Sequence, residues 1–171
     1  MKVSLLFKII LIFISISACD SLVSYPDTPI VNYKGFNLYR TTDILGNEIL
    51  LGKLDIEFTD GDGDIGINQP DSANVADSLK YNLFLSVHEL KNGVLRKIEG
   101  DEGMLNFRVP FMERTGQNKT LKGTITVDIE YKTMEYEIIA YSFYLMDRAF
   151  HRSNTDTTQL IDFTLTDLSS D

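Results

Sequence analysis

Lys53-Leu54-Asp55-Ile56-Glu57-Phe58 alternates charged and apolar residues, and it runs straight into Thr59-Asp60-Gly61-Asp62-Gly63-Asp64-Ile65-Gly66. A period of two places Leu54, Ile56 and Phe58 on one face of an extended chain and Lys53, Asp55 and Glu57 on the other. A helix would scatter the same residues around its circumference. A strand with one dry and one wet face belongs to an antiparallel sheet that covers a core on one side only. The glycines and aspartates that follow are turn formers, so the strand ends there.

The same alternation recurs in both directions along the chain. Phe36 and Leu38 mark a strand before it. Tyr81, Leu83, Leu85 and Val87 alternate with Asn82, Phe84, Ser86 and His88. Val94 to Ile98 follows across Lys91-Asn92-Gly93, where Asn-Gly favours a tight hairpin. Leu105, Phe107 and Val109 run up to Pro110, and Ile125, Val127 and Ile129 alternate with polar residues. Tyr136 to Met146 is apolar on both faces, as a central strand should be. Ile161, Phe163 and Leu165 form the last strand. Only Ser72 to Lys80 suggests a helix, and it reads equally as loop. About eight short strands separated by turn signals point to an all-β protein, an antiparallel immunoglobulin-like β-sandwich, with a small β-barrel as the alternative. Cys19 is the only cysteine and there is no tryptophan. The disulfide and buried indole of antibody domains are therefore both missing.

The amino terminus carries a different message. Met1-Lys2-Val3 is basic, Leu5 to Ile16 is apolar apart from Lys8, and the run closes on Ile16-Ser17-Ala18-Cys19. A basic start, a short apolar stretch and small residues before a cut site describe a secretory signal peptide. A spanning helix needs roughly 20 apolar residues, more than this run offers. Ile16-Ser17-Ala18-Cys19 resembles the lipobox of bacterial lipoproteins. That resemblance implies removal of residues 1–18, a lipid thioether on Cys19 and a further acyl group, such as palmitate, on the new amine. A lone cysteine has no disulfide partner, so the acceptor role has no competitor. Residues 19–30 hold Pro26 and Pro29 without periodicity and read as a lipidated tether, and residues 31–171 read as one domain. The expected location is the cell envelope, lipid-anchored, with the outer membrane favoured over the inner.

The chain has a formal net charge of −9, and the signal peptide takes two lysines and no acids with it. A protein this acidic repels nucleic acid and anionic headgroups and favours cationic partners. The local concentration of charge is Asp60, Asp62 and Asp64, three carboxylates alternating with glycines. Ca²⁺ takes six to eight oxygen ligands at about 2.3–2.6 Å, largely from carboxylates, and a curled loop can converge such a set on one ion. On the spacing of an EF-hand loop, Asn68 and Asp71 fall at the ninth and twelfth places. Ile65 stands where a glycine is normal, Asp71 is shorter than the usual glutamate, and the flanks are strands. This is therefore an Asp-x-Asp-x-Asp loop on a β scaffold. A second segment, Asp147 to Asn154, precedes the last strand. In an immunoglobulin-like sandwich it lies at the same end as the Asp60 loop. Asp147 could then add a carboxylate and Asn154 a carbonyl oxygen. The expected metal ligands are Asp60, Asp62, Asp64, Asp71, Asp147 and Asn154.

Phe58 to Gly66, Asp147 to Asn154 and the lipobox together resemble a family of small Gram-negative envelope lipoproteins with no assigned function. The resemblance implies a sandwich on the cell envelope and carries no activity with it. His88 and His151 are the only histidines. No nucleophile elbow, zinc spacing or phosphate-binding glycine loop accompanies them. The expectation is a non-enzymatic binding or structural module, Ca²⁺-stabilised, that meets an envelope protein or a glycan. The alternative is a glycan or peptide hydrolase built on paired carboxylates.

Overall fold

The computed structural model describes residues 24–70, 76, 80–112, 119–131 and 136–164. The signal peptide, Cys19, Asp71, Leu165 and most of Ser72–Lys80 lie outside the described residues. The described chain is all-β: β1 (Ile30–Thr42), β2 (Glu48–Asp60), β3 (Leu83–Lys91), β4 (Val94–Lys97), β5 (Met104–Phe107), β6 (Leu121–Tyr131), β7 (Ile138–Leu145), β8 (Asp156–Thr157) and β9 (Ile161–Asp162). A 3-10 turn at Asp101–Gly103 precedes β5.

The strands form two antiparallel sheets. One runs β1-β2-β6, and the other runs β4-β3-β7-β8, with β5 also on β3 and β9 also on β7. Consecutive strands β2 and β3 lie in different sheets, and so do β6 and β7. This is the crossing pattern of an immunoglobulin-like sandwich. Alternation does what the sequence requires of it. Leu54 and Ile56 are fully buried and Phe58 nearly so, and they face Leu83, Leu85, Tyr141, Phe143 and Leu145 from the other sheet. Each such side chain contributes roughly 1.5–3 kcal/mol by leaving water. Between Leu83 and Leu145 every inward residue of β3 meets a core residue of β7 in register.

The turn at Asn92-Gly93 takes positive φ at both residues, 53° and 75°, as a tight hairpin demands. The last strand departs from expectation. Of the expected run from Ile161, β9 covers Ile161–Asp162, and a separate two-residue strand, β8, precedes it; both pair with β7. Side chains then join the sheets along one edge. Asp156 on β8 accepts a hydrogen bond from the Tyr33 backbone N–H of β1 at 2.6 Å. The amide of Asn154 accepts from Val31 N–H at 2.9 Å and donates to Val31 C=O at 2.8 Å, the pattern a neighbouring strand would make.

The tether also departs from expectation. Pro29 is fully buried, Gly61 N–H donates to Pro26 C=O at 2.9 Å, and the Lys122 ammonium sits 3.6 Å from the centre of the Tyr25 ring. From Tyr25 onward the segment is docked on the domain, against the Asp60 loop.

Candidate metal centre

The end of β2 and the end of β7 come out at the same end of the sandwich, and each delivers a buried carboxylate. Asp60, the last residue of β2, is fully buried, and Asp147, just past β7, is 3% exposed. Asp64, half-buried in the loop after β2, completes the group. One carboxylate oxygen from each of Asp60, Asp64 and Asp147 lies within 4.8 Å of the others.

Three features of the sequence shape the loop. Ile65 is fully buried and belongs to the core, so the loop is plugged into the sandwich one residue after Asp64. Gly63 takes a φ of 65°, the left-handed turn that lets the chain curl back. A Cβ on Gly61 would strike the backbone oxygens of Tyr25 and Pro26, so only glycine allows the tether to pass there. Past Gly66, Ile67 exchanges hydrogen bonds with the 109–111 segment, donating to Val109 C=O and accepting from Phe111 N–H, both at 3.0 Å.

Each carboxylate is oriented by its own partners. Oδ2 of Asp60 accepts from the backbone N–H groups of Asp64 at 2.7 Å and Ile65 at 3.2 Å. Asp147 accepts from His151 N–H at 2.7 Å with one oxygen and meets His151 Nδ1 at 2.9 Å with the other. Such outer contacts fix a ligand's direction and leave its remaining lone pairs free for an ion. Arg148 does not pair with Asp147. Its Nη1 donates to Gly66 C=O at 3.1 Å, and its guanidinium carbon lies 4.9 Å from the centre of the Phe111 ring.

The electrostatics are unbalanced. Oδ1 of Asp60 and Oδ1 of Asp64 are buried and accept no hydrogen bond. Burial pushes the Asp60 carboxyl up from 3.8 to about 6, with Asp62 and Asp64 adding repulsion against the two backbone N–H groups that favour the charge. Asp64 is raised as well, by burial first and then by Asp147 and Asp62, with Arg148 and the backbone N–H of Ala149 opposing. Two like charges about 5 Å apart repel by ~3 kcal/mol at an effective dielectric constant near 20. A divalent cation converts those repulsions into ligand bonds.

The structure brings together three of the six expected ligands, Asp60, Asp64 and Asp147. Asp62 is half-buried in the same loop and acts on Asp60 and Asp64 through its charge. Asp71 lies outside the described residues. Asn154 is engaged with Val31 at both ends of its amide, so it clips β1 to the β8 edge and is not part of the three-carboxylate group. Sequence reading missed His151 as the partner of Asp147, although the four-residue spacing was there to see. It also missed the docking of Tyr25 and Pro26, for which no local signal exists.

Fold and site together define an all-β protein of two antiparallel sheets, with a three-carboxylate cluster, two of its members buried and one half-buried, where β2 and β7 end. No family model, curated protein or solved structure matches the chain. Among the described residues, no helix is long and apolar enough to cross a membrane.

Proposed function

We propose that this protein is a bacterial envelope lipoprotein, anchored by lipid on Cys19, whose sandwich domain is a non-enzymatic binding or structural module stabilised by Ca²⁺. The observation that carries the Ca²⁺ assignment is the fully buried Asp60. Its Oδ1 has no hydrogen-bond partner and shares a space of ligand dimensions with Asp64 and Asp147. A buried carboxylate oxygen without a donor is costly unless a cation supplies the missing interaction. The donor set is all oxygen, which suits Ca²⁺ better than zinc. Three carboxylates supply three to six ligand atoms, and Asp62, backbone carbonyls or water can complete the shell.

The anchor rests on the sequence alone: a basic start, a short apolar run and the Ile16-Ser17-Ala18-Cys19 lipobox. Its partner is the membrane, and the loops and edges beyond it are free to meet an envelope protein or a glycan. A carboxylate hydrolase is the weaker reading. A general acid must touch its substrate. The carboxyl with the most strongly raised pKa, Asp60, has no exposed surface.

The test is thermal unfolding of residues 20–171 in excess chelator and in millimolar Ca²⁺. An ion that binds only the folded state adds about 2.7 kcal/mol at a hundredfold excess over Kd. A rise of several degrees, abolished by Asp62→Asn combined with Asp64→Asn, is the expected result. An unfolding curve indifferent to Ca²⁺ overturns the metal assignment.

A further inference from the structure

The carboxylate end of the sandwich carries a second feature that the metal does not account for. Phe111 is 44% exposed and Phe150 is 58% exposed, and both lie beside the cluster. Phe150 follows Asp147 by three residues, and its N–H donates to Asp147 C=O at 3.2 Å. Its φ is 65°. This left-handed conformation is unfavourable for a bulky side chain, and here it holds a phenyl ring out in water. Burial explains neither the strain nor the exposure. Arg148, which lies over Phe111, and Arg152 are exposed on the same segment.

The tether says what this end faces. The chain leaves the domain at Tyr25 and Pro26, pressed against Gly61 in the carboxylate loop. Five residues lie between Cys19 and Tyr25, and an extended chain covers at most about 3.6 Å per residue, so the lipid-bearing Cys19 lies within roughly 22 Å of this end. Another exposed apolar tip, Ile44 and Leu45 in the β1–β2 turn, lies at the far end of strands of 13 residues. At ~3.3 Å per residue that is about 40 Å further away.

We propose that the carboxylate end docks flat on an anionic phospholipid surface. Phe111 and Phe150 enter the interfacial layer, and Arg148 and Arg152 meet lipid phosphates. The occupant is a membrane because the chain's own anchor keeps this end within about 22 Å of one. Aromatic rings beside arginines are the side chains an anionic interface takes up. Metal-free, Asp60, Asp62, Asp64 and Asp147 repel that surface. A bound Ca²⁺ offsets two of those four charges and Arg148 and Arg152 offset the other two, so the repulsion that so acidic a chain has for anionic headgroups is lifted at this end. The inference rests on the lipoprotein reading for its geometry and on the Ca²⁺ reading for its switch.

The experiment is co-sedimentation of residues 20–171, which contain every described residue and lack the lipidated cysteine, with vesicles. One set is phosphatidylethanolamine with phosphatidylglycerol, the other phosphatidylcholine alone, each in millimolar Ca²⁺ and in chelator. The expected result is binding to the anionic vesicles in Ca²⁺, weakened by about tenfold or more in chelator. Phe150→Gly relieves the strained φ, so this variant folds at least as well as wild type. Removing one phenyl from the interface should lower its vesicle binding by about tenfold. Arg152→Glu should lower it too. Equal binding by Phe150→Gly and wild type, or no preference for anionic vesicles, overturns the proposal; complete indifference to both vesicles points to a protein partner at this end. Failure of the anchor reading shows separately, as a Cys19 without lipid in the mass of the full chain. Failure of the metal reading shows as an unfolding curve unmoved by Ca²⁺.

Discussion

Replacing Asp60 by asparagine should make the protein more stable in chelator and less stable in Ca²⁺. The substitution is nearly isosteric. Its amide oxygen can keep accepting from the N–H groups of Asp64 and Ile65, and its NH₂ can donate toward the carboxylates of Asp64 and Asp147. In the metal-free fold the Asp60 carboxyl is pushed from 3.8 to about 6, chiefly by burial. Each unit is worth about 1.4 kcal/mol, so ionising it at neutral pH costs at most about 3 kcal/mol. Solvent screening at the loop reduces the working figure to about 1–2 kcal/mol. Asp60→Asn removes that cost, which for a domain of this size corresponds to a rise of about 2–8 °C in Tm. In Ca²⁺ the order reverses. Wild type gains about 2.7 kcal/mol at a hundredfold excess of ion over Kd, and the variant loses a charged ligand and most of that gain. Paired melts of both proteins in chelator and in Ca²⁺ make the measurement. A variant that is less stable than wild type in chelator, or that responds to Ca²⁺ as wild type does, refutes the reasoning.

Other outcomes follow from particular contacts. Asn154→Ala should cost about 1–3 kcal/mol, by leaving the Val31 N–H and C=O without their partners, yet keep the full Ca²⁺ response. A lost response in the melt would restore Asn154 as a ligand. Gly61→Ala sets a Cβ against the backbone oxygens of Tyr25 and Pro26, so the tether must lift. The denaturant midpoint should fall by about 1–3 kcal/mol, and proteolysis near Tyr25 should speed up. His88 is held below its ordinary 6.5 by burial and by Lys97, with Nε2 2.7 Å from Ser142 Oγ. The unfolded chain binds that proton more readily, so this contribution to stability is complete above 6.5 and is lost as pH falls below it. His88→Gln should flatten the acid limb of a stability-against-pH curve. Cys19→Ala should move the protein from the membrane fraction to the soluble one, and tight membrane association of that variant would remove the anchor.

The class of fold was legible because alternation is a local signal. Leu54, Ile56 and Phe58 have to face one way in any extended chain, and three apolar side chains on one face need a core. The neighbourhood of Asp60 and Asp147 was legible at one remove. In an immunoglobulin-like order of strands, the loop after the second strand and the loop before the last lie at the same end. The strand-edge role of Asn154 was not legible, because its residue type suits an ion and a strand edge equally. Its choice is made by Val31, 123 residues away in sequence.

By itself, then, the sequence determined the strands, the hairpin at Asn92-Gly93 and the carboxylates of one loop, because these depend on neighbours a few residues apart. Tertiary structure alone decided which carboxylates share a space, that Asp60 is sealed from water with an oxygen unsatisfied, and that the tether crosses the loop at Gly61. Those are contacts between segments far apart in the chain, and they are settled only when the two sheets close on their common core.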